Sequence, residues 1–131
     1  GRRVEEASCG GLVGVGTKLD PYYTKSDIMV GNYIAKPGVL PDPVLEITME
    51  TRLLDIAVGT EQLVKVEKLK MKEVLRLNVG TAVTAGIITS LRNEVATVRL
   101  RRPVVVLPDS SIAISRRIGD RWRLIGVGKP A

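Results

Sequence analysis

The chain has 131 residues, enough for one compact domain or one small domain plus part of another, and carries 20 Lys and Arg against 14 Asp and Glu. With no His, no Phe, one Cys and one Trp, it lacks the commonest general base, any intrachain disulfide and any cysteine metal cluster, and its core must be aliphatic. A net charge of +6 favours acidic partners such as RNA, and the lack of a membrane-length apolar run or signal pattern makes a soluble cytoplasmic protein the expectation.

The first residues, Gly1-Arg2-Arg3, contain no Met and read as the start of a fragment. Gly11-Leu12-Val13-Gly14-Val15-Gly16-Thr17-Lys18 approaches a phosphate-binding loop, but that loop needs Lys directly after the second Gly and then Ser or Thr. Here Thr17 precedes Lys18, so the segment reads instead as a Gly-rich strand whose backbone something approaches closely. Thr17-Lys18-Leu19-Asp20 matches the guanine-reading tetrapeptide of GTPases. Without an upstream phosphate loop or an Asp-x-x-Gly element, it makes no nucleotide site.

Pro37-Gly38 and Pro41-Asp42-Pro43 punctuate the chain most strongly and mark a linker. Strand patterns follow. Leu45 to Glu50 alternates apolar and polar residues, and Leu63 to Lys72 alternates closely enough for a strand, with an amphipathic helix as the weaker option. Glu73 to Val79 alternates again and ends at Gly80. Thr81–Leu91, with Gly86 as a bulge or close approach, turns at Arg92-Asn93 into Glu94–Leu100, the clearest hairpin of the chain. Ser111–Ile118 and Arg121–Val127 form a second pair around Gly119-Asp120. Many short strands at this spacing predict an all-β protein with a closed or nearly closed barrel.

Catalytic equipment is thin. No carboxylate pair stands at a suggestive spacing, and Cys9 has no His to activate it, so neither catalytic nor metal-ligating residues are assigned. The basic residues are more informative: Arg116, Arg117, Arg121 and Arg123 surround one turn. Arg121 and Arg123, two apart on a strand, share a face while Trp122 points the other way. One reading is a solvated charged face over a core Trp122. The other is phosphate contact by arginine forks, with steep salt dependence.

Taken together and in order, four stretches resemble a known family. Gly10 to Pro21 is similar to the end of the second domain in the gamma subunit of the archaeal and eukaryotic translation initiation factor that carries initiator tRNA. Leu53-Leu54-Asp55 with Val58-Gly59, Asn78 to Gly86, and Ile114-Ser115-Arg116-Arg117 with Arg121 to Gly126 resemble its third domain. Ala35 to Gly38 and the turn at Arg116–Gly119 are also similar to places in elongation factor Tu, a more distant relative.

The resemblance implies that residues 1–38 are the last strands of a second β-barrel and residues 39–131 a translation-factor-type third barrel. It implies that GTP and magnesium bind a nucleotide domain outside this sequence, leaving this polypeptide without cofactor or catalysis. Implied partners are the GTPase domain of the same subunit, the alpha and beta subunits, methionyl initiator tRNA and the small ribosomal subunit; no membrane is implied. Gly14, Val15, Gly16 and Thr17 become candidates to border the groove for the aminoacylated tRNA end. The alternative is a general RNA-binding barrel using Arg116, Arg117, Arg121 and Arg123, which predicts salt-sensitive RNA binding by the isolated chain. The assembly reading predicts little.

Overall fold

Residues 1–60 and 62–131 are described by a computed structural model. Among the described residues six strands form: β1 (Val44–Leu53), β2 (Val74–Val79), β3 (Ala82–Arg92), β4 (Val95–Val104), β5 (Ile112–Ile118) and β6 (Arg121–Pro130). They pair antiparallel in the order β1-β4-β3-β2-β5-β6, and β6 returns to β1 to close a barrel. No helix occurs among the described residues.

Period-two alternation decides which side chains turn inward. On β2, Leu75, Leu77 and Val79 are fully buried while Val74, Arg76 and Asn78 look outward. Met49, Ile88, Val98, Ile112, Ile114 and Ile125 join them in a core with no aromatic ring. Each such side chain stabilises the barrel by roughly 1.5–3 kcal/mol through removal from water. The core is aliphatic because the chain offers nothing else.

Tight turns set the register. Gly80-Thr81 joins β2 to β3 and Gly119-Asp120 joins β5 to β6, with Gly80 at φ 60 and Gly119 at φ 67. The β3–β4 turn lies one residue later than the sequence pattern suggests, at Asn93-Glu94, because Arg92 still pairs with Val95. Asn93 accepts the left-handed conformation, φ 55, that this turn demands. Gly86 is not a bulge; the register shift falls between Ile88 and Ser90. Gly86 instead marks a close approach, since an added Cβ would stand 2.7 Å from the Arg99 carbonyl oxygen.

Two expected strands do not form. Leu63–Lys72 makes only the single bridge Ile56↔Lys65. Its alternation has another use: Val64, Val66 and Leu69 pack against the core as part of a strap between β1 and β2. The Gly-rich segment around Gly14–Thr17 is not a strand either, and residues 1–43 hold only turns and irregular backbone. The physical reason is the same for both. A closed barrel has no free edge for another strand to join. Residues 28–33 nevertheless touch the barrel, with Gly31 against Ala82 and Tyr33 against Gly80.

Candidate nucleic-acid interface

The β5–β6 hairpin brings all four candidate arginines together, because its register places Arg116 opposite Arg123, Arg117 opposite Trp122 and Ile118 opposite Arg121. A bulge between Ile114 and Ser115 resets which residues face which side. Beyond it, Arg116 and Arg123 face the strap and Arg117 shares the other face with Trp122.

Arg116 is engaged within the fold. Its Nε donates to Glu73 Oε1 at 2.8 Å and its Nη2 to Glu73 Oε2 at 3.1 Å, a bidentate fork. Its Nη1 also donates to the Glu67 carbonyl at 3.0 Å, and Nη2 reaches the Lys68 carbonyl at 3.4 Å. The two side chains are only 16% and 17% exposed, so this clamp pins the strap to the barrel in a partly desolvated place. Arg123 is half-buried and lies against Gly59, where an added Cβ would stand 2.7 Å from Nη1. The strap is further tied down there by Val58 N–H donating to the Leu124 carbonyl at 3.1 Å. Arg117 and Arg121 are exposed.

Trp122 is half-buried and stands outside the core cluster. The Arg76 guanidinium lies over its ring, with Cζ 5.8 Å from the centroid, within cation–π range. Sequence reasoning does not single out Arg76. The alternation of β2 does place it outward, but only the strand order β2-β5-β6 shows that it meets Trp122.

Gly14, Val15, Gly16 and Thr17 are exposed and lie outside the barrel. A Cβ on Gly14 or Gly16 would meet nothing within 4 Å. Thr17 Oγ1 accepts from Leu19 N–H at 3.4 Å, and Asp20 Oδ1 accepts from Tyr22 N–H at 2.8 Å, a local turn. Among the described residues no three metal-ligating side chains converge, and no helix is long and apolar enough to cross a membrane.

Comparison with known proteins adds a family to this geometry. The family described as "Initiation factor eIF2 gamma, C terminal" matches residues 45–130. The chain is 56% identical over 128 residues to the translation initiation factor 2 subunit gamma of Archaeoglobus fulgidus, covering 98% of this chain and 30% of that protein. The subunit of the same name from Pyrococcus abyssi is 57% identical over 128 residues, again 98% of this chain and 31% of the relative. That of Methanocaldococcus jannaschii is 50% identical over 125 residues, 95% of this chain and 30% of the relative. The chain therefore spans about 30% of the length of the curated relatives it matches.

Proposed function

This chain belongs to the gamma subunits of translation initiation factor 2, as their C-terminal part, and from that premise we propose that it is a non-catalytic β-barrel portion supporting GTP-dependent binding and ribosomal delivery of methionyl initiator tRNA. The observation that supports this reading is the coincidence of the family match, residues 45–130, with the closed barrel Val44–Pro130. A barrel without free edges meets partners through its faces and loops, not by strand addition. In this reading GTP and magnesium are handled by a nucleotide domain of the same subunit, and the barrel docks there and relays its state. The alpha and beta subunits and the small ribosomal subunit complete the cytoplasmic assembly.

Gly14, Val15, Gly16 and Thr17 border the groove for the aminoacylated tRNA end. What supports this is their bare, exposed backbone, which leaves room for a close approach. Of the hairpin arginines, the exposed Arg117 and Arg121 are free to meet RNA, while Arg116 serves the strap. Binding of methionyl initiator tRNA to the whole subunit carrying Gly16→Val tests the groove. A Cβ at Gly16 meets nothing within the chain, so the substitution does not strain the fold. Affinity falls if the groove lies there; unchanged affinity removes the assignment.

A further inference from the structure

Two arginines on neighbouring strands of this barrel are both half-buried, and they differ in one respect. Arg116 has a carboxylate, Glu73, and two backbone carbonyls. Arg76 has no ion pair among the described residues, and its Nε is buried without a hydrogen-bond partner. A partly desolvated guanidinium without a counter-charge is costly, and the Trp122 ring beneath it offsets only part of that cost. What Arg76 lacks among the described residues is a counter-charge.

The surroundings indicate which anion. Arg76 stands opposite Ser115 on β5, and Arg117, two residues further along β5, stands opposite Trp122 on β6. From a strand rise of ~3.4 Å and a strand spacing of ~4.8 Å, the Arg76 and Arg117 backbones lie roughly 8 Å apart on the same outer face. One carboxylate brings a single charge to two guanidinium groups, whereas a chain of phosphodiesters offers each its own oxyanion. The cation–π contact with Trp122 restrains the Arg76 side chain in advance, and its planar guanidinium fork suits phosphate. The excess of 20 basic over 14 acidic side chains favours a polyanion over a single acidic group.

We propose that Arg76, Arg117 and Trp122 on the outer face of β2, β5 and β6 form a phosphate-binding site for the backbone of RNA. The site is separate from the groove at Gly14–Thr17, and it adds to the assembly role a salt-sensitive RNA binding by the isolated chain that the assembly role alone does not predict.

The sole tryptophan of the chain sits inside the site and reports on it. The test titrates the 131-residue chain with a fluorescein-labelled oligouridylate, following probe anisotropy and Trp122 emission together. Binding is expected to perturb Trp122 and to weaken steeply between about 50 and about 200 mM salt. Arg76→Gln and, independently, the exposed Arg117→Gln should each weaken binding about tenfold and lower the salt slope by about one. Arg52→Gln, an exposed arginine on β1, should leave it unchanged. Wild-type binding by both site variants, or an equal loss in Arg52→Gln, overturns the proposal. So does displacement of the oligouridylate by polyglutamate as readily as by polyuridylate, because the site would then be reading protein carboxylates. Because Arg117→Gln alters an exposed residue, the test holds even if Arg76→Gln folds poorly.

Discussion

Arg116 is the most heavily bonded side chain of the hairpin, and its contribution can be measured separately from any function. Replacing it with Met leaves the Glu73 carboxylate, whose side chain is only 17% exposed beside Arg116, without its partner and frees two carbonyls of the strap. We expect a loss of about 2–3 kcal/mol in urea unfolding followed by Trp122 fluorescence. Adding Glu73→Gln to Arg116→Met should cost less than the sum of the two single changes, and strict additivity would mean that the fork contributes nothing. Thr51 makes a smaller case, since its Oγ1 donates to the Glu94 carbonyl at 2.8 Å. Thr51→Val should cost about 1 kcal/mol in the same assay. The basic hairpin itself was legible in the sequence, because four arginines crowd one turn. Their division into a clamp and an exposed pair was not. It depends on a bulge at Ile114/Ser115 and on Glu73, 43 residues away from Arg116.

At the scale of elements, alternation and turn residues carried most of the information. Gly80, Gly119 and Asn93 mark three turns whose backbones need positive φ, and the strands between them follow their polar–apolar pattern. The same signal misleads at Leu63–Lys72, because alternation records which residues are covered and not whether a ladder partner exists. There the covered residues lie in the strap, which holds one β-bridge and depends on Arg116. Hydrogen exchange should therefore find the strap amides opening far below the global unfolding energy, with Arg116→Met speeding them further while β3 and β4 stay protected. Equal protection of strap and strands would contradict this. The tight β3–β4 approach yields another expectation. Gly86→Ala should destabilise the chain by about 1–3 kcal/mol, since its Cβ would press on the Arg99 carbonyl and the Val98 side chain.

On the scale of the whole molecule, the chain divides into a closed barrel with its own core and a segment without strands. Residues 44–130 bury an aliphatic core and satisfy their own ladders. Residues 1–43 expose Leu12, Val13, Val15 and Tyr22 and pair with no strand. The alternation of the barrel strands was readable in the sequence, whereas the Gly-rich pattern around Gly14–Thr17 forms no strand, since the closed barrel offers it no free edge. Because the chain spans about 30% of its relatives, its role is best judged inside one of them. The most direct measurement replaces the matching C-terminal part of the Archaeoglobus fulgidus subunit with this chain and titrates methionyl initiator tRNA in the presence of GTP or GDP. A barrel that docks on the nucleotide domain and relays its state predicts tight binding with GTP and weaker binding with GDP. A folded chimera that binds initiator tRNA equally weakly with either nucleotide would contradict that role.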